Sequence, residues 1–463
     1  MNTDDLSWQA DNYGGLSPRT VDLLLEHGRL DLVIRAAEED GEWFCAERAA
    51  QELAQSGEFA RALEVMEPFV ATGWRTALWA KADILLRTGR TDEALDLVRP
   101  DEGGRTSSHA CRDFAELLAR AGRVDEAIDL LVPHVGESWI RSVLVEITEG
   151  QARDEQVLEL IAPHAEAARR ARGEGRWDCS RSDAQELQAK VLERAGRADE
   201  AIRILGEDVA GRRFLTQNTL TAYAELLARR GRLGELRELA AGRDTRTVLP
   251  VYAGALRDRG RAGEAETLMR EAIAADDWVG YRAWLSSALV RDGRLDDAIA
   301  VAEPGFSRYD CSNLLAPLVG TLLDRPEELL HLVEHPLTVP HHGHEEFRHW
   351  WRAFALAGLG RAEEAIAVIE AHPDPWTDPR IVRAGLLSTA GHLASAATEL
   401  RDLGTIEARE ELFEVLVRQG QAAEAIAAHP TTAEQRAAKR RAAETKTQPV
   451  LLREDGYSPE PPF

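Results

Sequence analysis

Leu118-Ala119-Arg120-Ala121-Gly122-Arg123-Val124-Asp125-Glu126-Ala127-Ile128-Asp129-Leu130-Leu131-Val132-Pro133 is one copy of a pattern that recurs along most of the chain. Its glycine and arginine return together as Gly89-Arg90, Gly196-Arg197, Gly231-Arg232, Gly260-Arg261, Gly293-Arg294 and Gly360-Arg361. Looser copies begin at Gly28, Gly57, Gly150, Gly391 and Gly420, and a degenerate one at Asp324. Successive anchors lie about 33 residues apart, the scale of two-helix repeats. The step from Gly150 to Gly196 is longer and marks an insertion around residues 165–182, either a longer helix pair or a loop.

The residues around each anchor explain the period. Leucine stands four positions before it at Leu24, Leu53, Leu85, Leu118, Leu192, Leu227, Leu256, Leu289, Leu356, Leu387 and Leu416. A leucine one turn before a glycine reads as the buried face of a helix that ends in a left-handed cap. Acidic residues such as Asp125-Glu126 and Asp199-Glu200 follow, in the first turn of the next helix, where they oppose its positive end. Alanine stands five after the anchor at Ala62, Ala94, Ala127, Ala201, Ala265, Ala298, Ala365, Ala396 and Ala425, letting two helix axes approach closely. Proline at or near the eleventh position (Pro68, Pro100, Pro133, Pro304, with Pro163, Pro336, Pro373 and Pro430 slightly shifted) is expected to stop the second helix. No such unit buries its apolar stripe alone, so neighbours must stack. The fold expected is an all-α solenoid of about twelve to thirteen helix-turn-helix units.

The pattern resembles the tetratricopeptide-repeat family or a close relative over roughly residues 17–430. The likeness rests on the period, the turn glycines Gly122, Gly196 and Gly360, the small residues Ala127, Ala201 and Ala365, and the closing proline. It departs where the family's recurring aromatic positions are aliphatic here and the proline falls closer to the glycine. The resemblance implies a right-handed superhelix whose concave groove binds proteins, without catalysis and without a cofactor.

The remaining segments fit around that core. Residues 1–16 form an N-terminal extension, and Ser17-Pro18 is a cap followed by proline at the first helical position. Residues 431–445 are a polar, alanine-rich capping helix. The end, 446–463, reads as a mobile proline-containing tail. In the 463 residues, 80 acidic side chains face 56 basic ones, a net charge of −24. That charge opposes DNA, RNA and anionic membranes as partners. Four residues are lysine and the other basic ones arginine, a skew read as coding bias of a GC-rich genome. There is no secretory signal and no run long enough to cross a membrane, and Cys45, Cys111, Cys179 and Cys311 form no Cys-x-x-Cys pair. A cytoplasmic protein is expected.

Two clusters are candidates for function. Trp79, Trp139, Trp284, Trp350 and Trp351 lie on the first helices of their units, as repeat packing or as aromatic anchors for a partner in the groove. Trp350 and Trp351 are adjacent and cannot both face one core. His331 and His335 are four apart, so on a helix they share a face and present two imidazoles to a metal ion, with His341, His342 and His344 as loop ligands. The segment from His344 to His349 is not the zincin motif, because its histidines are five apart. His335, His372 and His429 each precede a proline, so a repeat position explains part of the cluster. The leading expectation is a protein–protein scaffold for a partner with a basic segment. A metal-dependent activity on the histidines and helical-repeat nucleic-acid binding through Arg436, Lys439, Arg440, Arg441 and Lys446 are the alternatives.

Overall fold

A computed structural model of the chain describes residues 2–174, 183–211, 217–306, 312–334, 345–372 and 377–446. Among the described residues there are helices and turns and no strand. All twelve anchor glycines adopt left-handed backbone, with φ from +69° at Gly28 to +86° at Gly391. At eleven of them the residue after the glycine donates its N–H to the carbonyl of the leucine four before it, at 2.8–3.0 Å, as in Arg123 to Leu118 and Arg361 to Leu356. The leucine therefore closes the turn with its backbone and seals the core with its side chain, and all eleven are buried. The nine alanines of the second helix are likewise fully buried. Asp324 departs from this scheme: it has no left-handed backbone, and the next helix starts directly at Pro326.

The chain divides into two compact units, Thr91–Glu345 and Met1–Arg90 with Glu346–Phe463. In the first, seven helix pairs follow one another, from Ser108–Arg120 with Val124–Leu131 to Ser312–Leu322 with Pro326–Glu334. The insertion begins as helix. Asp154–Gly173 runs for 20 residues, with Ala165, Ala168 and Ala171 buried, and Arg169 reaches Asp208 at 3.0 Å; residues 175–182 lie outside the described part.

In the second unit the helices Trp43–Gln55, Phe59–Val70 and Arg75–Arg87 pack around Trp43, whose ring meets Trp74 edge-on at 4.7 Å and Phe69 at 5.9 Å. Residues 3–12, expected as an extension ahead of the repeats, form a helix of their own. Its Leu6 is buried, and Gln9 donates to the Gly41 carbonyl and accepts from the Trp43 N–H at 2.8 Å. The next helix, Pro18–Glu26, packs against Ile406–Arg418 of the C-terminal stretch.

Proline does not always stop a helix here. Pro100 follows its helix, but Pro68, Pro163 and Pro304 lie inside Phe59–Val70, Asp154–Gly173 and Leu295–Phe306. A missing N–H costs a helix about 3 kcal/mol. Burial of Phe69 beyond Pro68, and of three alanines beyond Pro163, outweighs that loss.

At three anchors the arginine bridges twice. Arg232 pairs with Glu235 in its own second helix and with Asp199 of the preceding unit at 3.0 Å. Arg197 does the same with Glu200 and Glu155, and Arg294 with Asp297 and Glu266. First-turn acids such as Glu155, Asp199 and Glu235 thus accept arginine as well as facing the helix end. The arginine skew has a structural use, because a guanidinium fork spans two carboxylates where an ammonium point charge does not.

Candidate partner-binding groove

Within the second unit, Glu345–Gly358, Pro379–Thr389, Leu393–Leu403 and Ile406–Arg418 enclose a groove of about 430 Å³. Its floor is apolar and buried: Val382, Leu386, Leu400 and Val415. Trp350 and Phe354, one helical turn apart, form one wall and are 41% and 38% exposed. Large aromatic side chains left this open beside an apolar floor are what a recognition pocket presents. The opposite wall is charged. Arg418 is paired with Glu414 at 2.5 Å, while Glu411 stands at the lip.

Glu411 and Glu414 also line a second hollow of about 860 Å³, where Ile406–Arg418 faces Pro18–Glu26. It holds five carboxylates, Asp22, Glu26, Glu410, Glu411 and Glu414, against one arginine, Arg19. Although Glu411 as a residue is exposed, the concave wall desolvates its carboxyl and raises its pKa; repulsion from Glu414 and Glu410 adds to this, and Arg19 offsets part. The two hollows share a wall, so apolar anchoring and negative charge lie side by side.

At the same junction a further cavity of about 540 Å³ is lined by Leu16, Glu42 and His429 among others, His429 being common to this cavity and the second hollow. Glu42 is buried and accepts the Leu16 N–H at 2.9 Å. Desolvation raises its pKa to about 7; the Leu16 hydrogen bond opposes this and the charge of Asp40 adds to it. Burial pushes His429 down to about 4, assisted by the charge of Arg409.

The sequence candidates distribute unevenly. Trp350 lines the groove, while its neighbour Trp351 turns away, half-buried, with its ring edge-on to Phe354 at 5.8 Å. Trp79 is half-buried on Arg75–Arg87 and is not part of the groove wall. In the other unit, Trp139 is half-buried against His109 at 4.6 Å and under the Arg112 guanidinium, and Trp284 is half-buried on Val279–Arg291. Phe354, Glu411 and Glu414 were missed. Phe354 follows Trp350 at one turn's spacing, which was a legible signal; the glutamates carry none.

His331 is exposed and its Nε2 lies 3.0 Å from Asp296. His335, His341, His342 and His344 lie outside the described residues. Among the described residues no group of three or more His, Cys, Asp or Glu side chains is placed to hold a metal ion. Arg436 and Lys439 of the C-terminal helix face the N-terminal helix of the same unit.

Two stretches, residues 76–100 and 348–371, match the family model for the tetratricopeptide repeat. The chain is a tetratricopeptide-like repeat protein. The second matched stretch contains Trp350 and Phe354, so the groove wall is itself a tetratricopeptide repeat. Similar solved structures include the Naa15/Naa10 complex bound to HypK-THB, at 16% identity, covering 83% of this chain and 67% of that one, with a TM-score of 0.34. Yeast Tom70 is 12% identical over 89% of this chain and 97% of its own, TM-score 0.28. Maize PPR10, a pentatricopeptide repeat protein, is 12% identical over 91% and 79%, TM-score 0.26. No curated protein matches the tetratricopeptide-like chain. Among its described residues no helix is long and apolar enough to cross a membrane.

Proposed function

We propose that this tetratricopeptide-like chain is a non-catalytic adaptor of the cytoplasm that binds a partner protein in the Trp350–Phe354 groove, taking a basic segment of that partner along the Glu411 wall. The observation that carries the reading is the pairing of two exposed aromatics with a wall in which five carboxylates outnumber the one arginine of the hollow. The aromatics supply anchoring that survives salt, and the carboxylates supply steering and a preference for lysine or arginine that salt weakens. The tetratricopeptide repeat at the groove and the overall charge of −24 support the same reading.

The test is selection from a random peptide display library on the full chain, repeated on Trp350→Ala/Phe354→Ala. Enrichment of peptides joining an apolar residue to lysine or arginine, with binding reduced at least about tenfold in the double variant, is the expected result. Enrichment of acidic peptides, or equal binding to both proteins, would overturn the proposal.

A further inference from the structure

The Thr432–Lys446 helix reaches back to the first helix of the chain. Gln435 grips Gly15 from both sides, its Oε1 accepting the Gly15 N–H at 2.6 Å and its Nε2 donating to the Gly15 carbonyl at 3.4 Å. Arg436 pairs with Asp5 at 2.5 Å and lays its guanidinium over the Trp8 ring, 5.6 Å from the centroid. Lys439 donates to the Asn12 side chain. Lys439 lies one turn beyond the adjacent Gln435 and Arg436, so the three side chains share one face of their helix.

This grip is made by hydrogen bonds, one ion pair and one cation–ring contact. None of the described side chains of Thr432–Lys446 is buried, so no buried apolar side chain locks the helix down. Its start is held independently, by the reciprocal bonds between Thr431 and Glu434 and by the Arg409–Glu434 pair at 2.9 Å. The surface it covers needs no help from it, because Leu6 and Gln9 fix Thr3–Asn12 to Trp43–Gln55 from behind. A preformed face of Asp5, Trp8 and Asn12 is therefore occupied by a weakly held basic helix.

We propose that this face is a docking surface for a basic helix of a second protein, one that carries a glutamine–arginine–lysine row at the spacing of Gln435, Arg436 and Lys439, and that the chain's own C-terminal helix is its displaceable resident. The occupant defines the chemistry: an arginine for Asp5 and the Trp8 face, an amine for Asn12. A foreign helix that buries an apolar side chain against the Trp8 ring outcompetes the resident, none of whose described side chains is buried. A partner of opposite charge fits better than a second copy, since two chains of charge −24 repel.

The probe is a labelled peptide of residues 432–446, followed by fluorescence anisotropy on the full-length chain. With Arg436→Glu/Lys439→Glu the resident is expelled and the peptide binds at least tenfold more tightly than to the unaltered chain. Adding Asp5→Lys to that variant abolishes the gain. Amide exchange of residues 3–12 remains protected in both variants, which separates a vacant face from an unfolded one. Equal affinity for the unaltered and double-variant chains, or loss of that protection, would overturn the proposal. A concentration-dependent dimer of the unaltered chain that Asp5→Lys dissolves would overturn the second-protein clause and make another copy the donor.

Discussion

Glu42 and His429 line one cavity from opposite ends of the chain and respond to acid in opposite senses. Glu42 keeps its proton in the folded state up to about pH 7, whereas the unfolded chain releases it near 4.5. Its contribution is full at low pH and is lost as pH rises from about 4.5 to 7. His429 stays neutral in the folded state down to about 4, whereas the unfolded chain takes up a proton below 6.5. Stability from this group is present above 6.5 and is lost as pH falls towards 4. Each effect is worth roughly 3 kcal/mol. Between pH 4.5 and 6.5 they oppose each other. Glu42→Gln should therefore unmask stability that rises with pH across this window, and His429→Asn stability that falls, both read from thermal midpoints. Parallel profiles for the two variants would refute the opposition.

The packing register is tested by Ala201 and Asp199. Ala201 is fully buried where two helices approach, so Ala201→Leu should destabilise by about 1–3 kcal/mol through overpacking. Asp199 is exposed and accepts a surface bridge from Arg232. Asp199→Leu should cost at most about 1 kcal/mol. Denaturant midpoints that shift alike would place the alanine on the wrong face.

Two tryptophans separate stability from recognition. Trp43 is buried against Phe69 and Trp74, and Trp43→Ala should cost about 3–5 kcal/mol. Trp350→Ala, at an exposed wall, should shift stability by less than about 1 kcal/mol while weakening the groove's ligands. Thermal midpoints and peptide affinity measured on the same two variants distinguish the roles.

Glycine at a turn and glycine at a contact have different costs. Gly122 sits at φ +76° with nothing within 4 Å of an added Cβ, so Gly122→Ala should cost only the left-handed strain, about 1–2 kcal/mol. At Gly15, φ +68°, the same atom would lie 1.9 Å from Glu42 Oε2 and would push into the buried carboxyl that holds Leu16. Gly15→Ala should cost distinctly more, and amide exchange at Leu16 should rise with it.

The repeat core was legible because its demands are local. A left-handed turn needs glycine, the carbonyl that closes it belongs to a residue five earlier in sequence, and close helix contact needs alanine; Leu118, Gly122 and Ala127 stand within ten residues. That one of the adjacent Trp350 and Trp351 must leave the core was legible, but which one lines the groove was not, and only Trp350 does. The junction of Gly15 with Gln435 was not, since 420 residues separate partners that no periodicity links. Glu411 was hidden for a related reason: its pKa is raised by the wall around it and by Glu410 and Glu414, and its opposing arginine, Arg19, lies at the other end of the chain. The N-terminal helix escaped notice because its single buried leucine, Leu6, has no partner stripe in the first sixteen residues. Proline misled in the other direction. Its local penalty is real, but the burial of Phe69 beyond Pro68 decides whether the helix goes on.

The doubled bridges of Arg197, Arg232 and Arg294 bear on how such a chain is lengthened by evolution. Each of these units carries a cation for the acid its predecessor presents, and where the next unit repeats the pattern it leaves an acid for its successor. A unit copied together with both halves arrives matched at each joint. Duplication of such a unit thereby keeps its charges paired, whereas a cut at any other phase strands an arginine or a carboxylate at the joint.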